Sequence, residues 1–135
     1  FRRFLKEKGL QVLFGAVVPN PKVSQLPIVQ EYRHAMDEKK YSYDVFSLEA
    51  YIATSILIEA LKKIEGPITK DNILKALESF NNYEFKGLTL TFNPDRRDLA
   101  KYIWLESGDN DEWVQKEIDT TKKEDETHIK NVNIA

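Results

Sequence analysis

The sequence predicts an α/β fold with one short strand, three helices and a carboxyl-terminal antiparallel β meander. Residues 11–19 form a continuous apolar run rich in β-branched side chains, which predicts a strand covered on both faces. Three later stretches repeat apolar residues at three- and four-residue spacing, which predicts helices. From residue 84 onward, apolar and polar residues alternate between turn-forming segments, as in antiparallel strands.

The composition is that of an ordinary globular domain. Of the 135 residues, 41% are hydrophobic and 31% are charged, so one compact core is expected. The formal net charge of −2 gives no electrostatic reason to expect a nucleic-acid partner. The chain has no cysteine, which excludes disulfides and thiolate zinc sites. Since the chain begins with Phe1 and residues 1–10 lack the features of a secretion signal, we expect that an upstream segment has been removed.

The first elements are marked by glycine and proline. Residues 1–10 are typical of the end of a helix, with Gly9 placed to adopt the left-handed conformation that terminates it. Pro19 ends the following strand because proline cannot donate to a β ladder. Residues 23–37 then return to helical spacing and tolerate Pro27 in the first turn. The inward-facing positions of this helix are predicted to be Ile28, Tyr32 and either Ala35 or Met36.

The longest predicted helix spans residues 44–64, with Asp44 as its amino-terminal cap. Its apolar surface wraps well past half of the circumference, so it needs cover on more than one side. A membrane span is the alternative, but Glu49 and Glu59 would each be costly inside a bilayer. We therefore expect side chains such as Ile52 and Leu57 to pack against strands that this chain does not supply. The apolar positions are Val45, Leu48, Ile52, Ala53, Ile56, Leu57, Ala60, Leu61 and Ile64.

The remaining elements are shorter. Thr69 is predicted to cap a helix that ends near Phe80 and directs Ile73, Leu74, Leu77 and Phe80 to one side. Strands are predicted at residues 84–92, 99–106 and 113–118, with turns at 93–98 and 107–112. These three strands would form the meander. Residues 119–135 offer few apolar anchors and are predicted to be a polar tail outside the folded unit of residues 1–118.

The sequence does not support an enzyme, a metal site or a cofactor. Neither His34 nor His128 has metal-ligand spacing, and both are expected to be ordinary surface or helix residues. The acidic run at 109–112 lacks the register of a calcium loop. Asp95 and Asp98 alternate with arginines and are expected to pair with them in water. The sequence contains no glycine-rich phosphate loop and no nucleophile elbow.

Aromatic residues collect at the start of the long helix. Tyr41, Tyr43, Phe46 and Tyr51 lie within a short stretch there, and a helix amino end beside aromatic rings suits a small ligand with an apolar part. Packing in the core is the alternative, and we favour it for Tyr51. Tyr43 and Phe46 are therefore the candidate ligand-binding residues.

The order of these segments resembles a known family. An apolar strand ending in VVPNP is followed by PIVQEYRHAM, VFSLEAYIATSILIEALKKI, ITKDNILKALESF, FKGLTLTFNPDRRD and YIWLESGDNDEW. This order resembles the carboxyl-terminal third of the branched-chain amino-acid (Leu/Ile/Val) binding proteins, which are type I periplasmic solute-binding proteins of ABC importers. The similarity extends from about residue 1 to residue 118, and the FNPDRRD turn is among its more specific parts.

The resemblance implies a partial type I periplasmic-binding-protein fold and an extracytoplasmic, periplasmic location. Members of the family close two α/β lobes over a small amino acid and deliver it to the membrane subunits of an ABC importer. It implies that Val17, Val18 and Pro19 form one hinge crossing and that the chain returns toward the second lobe from about Lys86. Phe46 matches a position where the family places an aromatic ring against the side chain of the ligand.

The resemblance also implies that most ligand-holding groups lie in an earlier part of the chain, so the 135-residue chain should bind no amino acid tightly. A chain lacking that part would have an uncovered long helix, and we expect it to form homo-oligomers through residues 51–64. An alternative interpretation is a stand-alone α/β interaction module that uses the long helix to bind a partner. A small hydrolase built on the carboxylates is a distant third.

Overall fold

The computed structural model describes residues 2–10, 13–99, 101–107 and 113–117. The predicted α/β class is confirmed, since a strand, three helices and antiparallel strands follow one another in the expected order. The predicted polar tail, residues 119–135, lies outside the described residues, and the division of the chain at residue 118 stays a prediction. The elements are α1 (Arg2–Glu7), β1 (Leu13–Ala16), α2 (Pro27–Lys39), α3 (Val45–Lys62), α4 (Lys70–Glu78), β2 (Tyr83–Phe85), β3 (Leu88–Leu90), β4 (Tyr102–Ser107) and β5 (Trp113–Glu117).

The described strands form two antiparallel sheets instead of one continuous meander. The predicted strand at 84–92 is interrupted at Lys86 and Gly87, whose φ angles of 50° and 86° make a tight hairpin turn between β2 and β3. The second sheet has the order β1-β4-β5, with Ala16 opposite Trp104 and Trp104 opposite Gln115. The carboxyl-terminal hairpin therefore pairs with the first strand of the chain, far away in sequence.

Strand β1 does not have the predicted cover on both faces. Gly15 is exposed, and Val17, which directly follows the strand, is 53% exposed. The described part of the chain thus covers only part of this strand and its continuation. The helix-ending role predicted for Gly9 is confirmed, because its φ angle is +68°.

Helix α2 begins four residues later than the spacing predicted. Leu26 is extended, with φ −61° and ψ 135°, because the ring of a following proline disfavours the helical conformation at the preceding residue. Pro27 is then the first helical residue, in the first turn as predicted. Ile28 and Tyr32 face the core as predicted, with 0% and 1% of their surface exposed.

Both predicted helix caps are confirmed. The Asp44 carboxylate accepts a hydrogen bond from the Ser47 N–H of α3 at 2.9 Å. The Thr69 hydroxyl accepts one from the Asn72 N–H of α4 at 3.2 Å. Each bond satisfies one of the N–H groups that a helix leaves unpaired in its first turn.

The core lies among α2, α3, α4 and the β2–β3 hairpin. Helix α3 contributes its inner face to it, and the prediction for α4 is corrected at one position: Leu74 is 38% exposed, whereas Ala76 is buried. The hairpin is attached to α2 by a bond from the Ile28 N–H to the Lys86 carbonyl, 3.1 Å long. Across the described ranges, no helix is long and apolar enough to span a membrane. The buried residues of the inner face are Leu48, Ile52, Ile56 and Ala60.

Candidate functional site at the amino end of helix α3

The structure separates the two aromatic residues predicted to contact a ligand. The Phe46 side chain lies in the first turn of α3 and is 83% exposed. Tyr43 lies just before the helix and is half-buried against α2, where its hydroxyl donates to the Asp37 carboxylate. That hydrogen bond, together with partial desolvation, raises the pKa of Tyr43. Phe46 therefore has a free ring surface, and Tyr43 stands behind it as part of the packing.

The neighbouring aromatic residues also divide into packed and exposed side chains. The Tyr51 ring lies edge-on to the Tyr32 ring at a centroid distance of 5.7 Å, which confirms the core role expected for Tyr51. The ring centroids of Tyr32 and Tyr43 lie 6.1 Å apart, and the Tyr32 hydroxyl forms a 2.6 Å hydrogen bond with the Ser47 hydroxyl. Tyr41 is 64% exposed. A rigid aromatic cluster thus holds the amino end of α3 and leaves Phe46 projecting from it.

The electrostatics of this helix end favour an apolar contact over an anionic one. Hydrogen bonds from the backbone N–H and the hydroxyl of Ser47 lower the pKa of the Asp44 carboxyl, which therefore stays ionised. Its negative charge already lies at the positive end of the helix dipole. The Asp44 carboxylate would repel a ligand carboxylate there. The helix end therefore suits the aliphatic part of a ligand lying on Phe46.

Residues predicted to form a hinge crossing lie beside an apolar cleft between α3 and the three-stranded sheet. The cleft has a volume of about 390 Å³ and is partly open to solvent. Val18 is 3% exposed and joins the core, and Pro19 is also buried. Leu99 and Tyr102 line the same cleft, so residues 17–19 lie near the segment that leads into β4. Other apolar lining residues include Ile52, Ala53, Ile56, Leu57, Leu90 and Trp104.

Lys86, the other predicted hinge residue, occupies the turn between β2 and β3. Its ammonium group pairs with the Glu31 carboxylate on α2. The connection from this hairpin to the three-stranded sheet lies further along the chain, at residues 91–101. The assignment of Lys86 to a hinge stays a prediction.

The outward side of α3 carries an uncharged apolar surface, which we call the outer face. Leu57 and Ile58 are its most prominent members, 42% and 48% exposed. The expectation that Leu57 lacks cover from this chain agrees with that exposure, whereas the same expectation was wrong for Ile52, which is only 8% exposed because the chain's own residues cover it. Ile58 was not predicted, although its spacing of three residues from Leu61 places both side chains on the same side of the helix. The outer face consists of Ala50, Ala53, Thr54, Leu57, Ile58 and the half-buried Leu61. Ala53 and Leu57 also line the apolar cleft, so the outer face adjoins the mouth of that cleft.

The candidate catalytic and metal groups behave as surface residues where the structure describes them. His34 is exposed and lies 3.4 Å from Glu38 on the next turn of α2. Arg96 pairs with Asp98 at 2.7 Å, as expected for a turn of mixed charge. Within the described ranges, no three metal-ligating side chains cluster together. His128 and the acidic run at 109–112 lie outside those ranges.

Comparisons with known proteins show a similarity in fold. No protein-family model matches the chain, and no curated protein does. Among solved structures, the chain is similar to a possible leucine/isoleucine/valine-binding protein from Rhodopirellula baltica SH 1, with a TM-score of 0.64 and 29% sequence identity. The match covers 79% of this chain but only 29% of that chain. The fold is therefore part of a periplasmic-binding-protein fold.

Proposed function

We propose that this chain is part of an extracytoplasmic solute receptor that delivers branched-chain amino acids or related small solutes to an ABC importer. The observation that carries the proposal is the match of 79% of the chain to a possible leucine/isoleucine/valine-binding protein at 29% identity. The order of the elements, from the strand at 13–16 to the hairpin of β4 and β5, agrees with the order predicted from the family resemblance and supports the proposal. In this role the receptor of which the chain is a part binds and releases a solute and catalyses no reaction.

Phe46 would supply an apolar surface for the side chain of the solute. Its ring is 83% exposed, and the aromatic packing of Tyr43 and Tyr32 fixes the backbone from which it projects. The groups that hold the ammonium and carboxylate of the solute would come from parts of the receptor outside this chain. Closure over the solute would then bend the receptor at the crossing of residues 17–19, beside the apolar cleft.

A chimeric receptor tests this role. The matched region of the Rhodopirellula baltica protein is replaced by the corresponding residues of this chain, and leucine binding is measured by isothermal titration calorimetry. We expect binding, and we expect Phe46→Ala to weaken it at least about tenfold because an apolar contact of this size is worth more than about 1.4 kcal/mol.

The matched control is Phe4→Ala, since Phe4 is also an exposed phenylalanine, 56% exposed on α1. We expect this control to leave leucine affinity unchanged. Equal affinity of the Phe46→Ala and Phe4→Ala chimeras would contradict the assignment of Phe46. A folded chimera that binds no aliphatic amino acid would contradict the receptor role itself.

The coding sequence upstream of Phe1 provides an independent test. The receptor proposal predicts several hundred bases of α/β-patterned reading frame there or in the neighbouring gene. A native start close to Phe1, with no such frame nearby, would argue against it.

A stand-alone interaction module is the second candidate, and the exposed outer face of α3 is the observation that favours it. Leu57 and Ile58 together present an aliphatic surface on one side of a helix whose inner face is buried in the core. This candidate predicts a native start close to Phe1 and a folded chain that binds a partner through α3.

A further inference from the structure

We propose that, in the 135-residue chain, the outer face of α3 binds the outer face of a second copy, with the two helices antiparallel. The starting observation is that this face contains no charged residue over three turns, from Ala50 to Leu61, while Leu57 and Ile58 remain 42% and 48% exposed. The inner face of the same helix is already buried in the chain's own core. An exposed aliphatic surface of this kind favours association because burying it removes apolar area from water.

The sequence of the outer face is complementary to itself. Its first half is small, with Ala50, Ala53 and Thr54, whereas its second half is large, with Leu57, Ile58 and Leu61. A two-fold axis passing between positions 55 and 56 places each short side chain opposite a long one. The resulting pairs are Ala50 with Leu61, Ala53 with Ile58, and Thr54 with Leu57.

A parallel pairing of the same face would not have this complementarity. It would place Ala50 against Ala50, leaving a gap, and Leu57 against Leu57, crowding the interface. The antiparallel pairing also opposes the two helix dipoles. Because the face has no charge to match a charged partner, the size pattern is what selects a second copy as the occupant.

The first test is the molar mass of the chain by light scattering coupled to size exclusion, over a range of concentrations. We expect a dimer, and we expect Leu57→Asp to raise its dissociation constant at least about 100-fold, since a carboxylate buried opposite an apolar surface is strongly disfavoured. The matched control is Leu74→Asp, because Leu74 on α4 has a similar exposure of 38%. The control should leave the dimer intact.

Two results of this test overturn the proposal. One is a folded monomer for the unaltered chain at all concentrations, which would mean that another occupant, such as the rest of a receptor, covers the face. The other is a dimer that Leu57→Asp and Leu74→Asp weaken equally. Circular dichroism of both variants establishes that they are folded.

The second test measures the orientation of the helices by disulfide cross-linking, which is clean because the chain has no cysteine of its own. A mixture of Ala50→Cys and Leu61→Cys chains should form a mixed disulfide dimer under mild oxidation. Ala50→Cys alone should not, because its two sulfurs would be about 16 Å apart along the helix axis. Efficient cross-linking of Ala50→Cys to itself, or no cross-link in the mixture, would overturn the antiparallel arrangement.

Discussion

Glu59 shows at the scale of one residue how α3 accommodates an acidic side chain on its half-buried side. The Tyr83 hydroxyl of β2 donates to the Glu59 carboxylate at 2.8 Å, and Lys62 lies 3.6 Å away. The hydrogen bond from Tyr83 lowers the pKa of Glu59 and raises that of Tyr83. Lys63 lies over the Tyr83 ring, 4.2 Å from its centroid. The Glu59 carboxylate, whose charge is unfavourable in a membrane span, thus connects α3 to the β2–β3 hairpin.

The Glu59 contact predicts a pH-dependent loss of stability in Glu59→Gln. Because the folded-state pKa is lowered, the ionised carboxylate stabilises the fold above its unfolded pKa, and this contribution disappears as the pH falls through the folded pKa. We expect the variant to be less stable than the unaltered chain by about 1 kcal/mol or less at neutral pH, given the partial exposure of the pair.

Urea unfolding at pH 7 and at pH 3 measures this difference, which should shrink at the lower pH. Tyr83→Phe is the control for the partner: in its background, Glu59→Gln should have a smaller effect. A difference of the same size at both pH values would contradict the role assigned to the ionised carboxylate.

At the scale of elements, local signals in the sequence predicted the helix ends better than the sheets. Asp44 and Thr69 were recognised as caps because their hydrogen bonds reach only three residues along the chain. The hairpin turn at Lys86 and Gly87 was missed, although the alternation shifts there: the apolar residue after Phe85 is Leu88, three positions later and not two. The pairing of β1 with β4 depends on residues about ninety positions apart, which no local pattern encodes.

The candidate site was predictable to a similar degree. Phe46 was found from its aromatic character near a helix start, and a family resemblance strengthened it. That Tyr43 faces α2 depends on Asp37, and this contact could not be derived from spacing. Which apolar positions of α3 are covered depends on the elements packed against them, so Ile52 was assigned wrongly and Ile58 was missed.

Thr69→Ala tests the cap of α4. Removing the hydroxyl leaves the Asn72 N–H without its partner, so we expect a loss of about 1 kcal/mol in the free energy of unfolding. Thr69→Ser keeps an equivalent hydroxyl and should restore most of the stability. Equal stability of the alanine and serine variants in thermal and urea unfolding would contradict the cap.

Gly87→Ala tests the attachment of the hairpin to α2. A Cβ atom at Gly87 would lie 2.9 Å from Cδ of Pro27, and the φ angle of +86° is itself unfavourable for alanine. Gly66→Ala is the control, since Gly66 has a φ angle of +111° with no atom within 4 Å of the added Cβ. We expect Gly87→Ala to cost at least about 1 kcal/mol more than the control. Equal losses of unfolding free energy in urea would mean that the hairpin does not pack closely against the start of α2.

At the scale of the whole molecule, the core is concentrated in the helices and the β2–β3 hairpin. The β1-β4-β5 sheet contributes the buried Trp104 but lies beside an open apolar cleft. Helix α3 is packed on its inner side and exposed on its outer face. The dimer proposal accounts for this asymmetry, because a second copy would cover the outer face.

The most direct test of this asymmetry compares a lysine on each side of α3 at the lowest protein concentration at which unfolding can be followed. Ile56, which is 9% exposed, and its chain neighbour Leu57, which is 42% exposed, are each replaced by lysine. We predict that Ile56→Lys lowers the free energy of unfolding by more than about 4 kcal/mol, or prevents folding, whereas Leu57→Lys changes it by about 0.5 kcal/mol or less. A loss for Leu57→Lys as large as that for Ile56→Lys would contradict the account, because Leu57 would then be packed within its own chain.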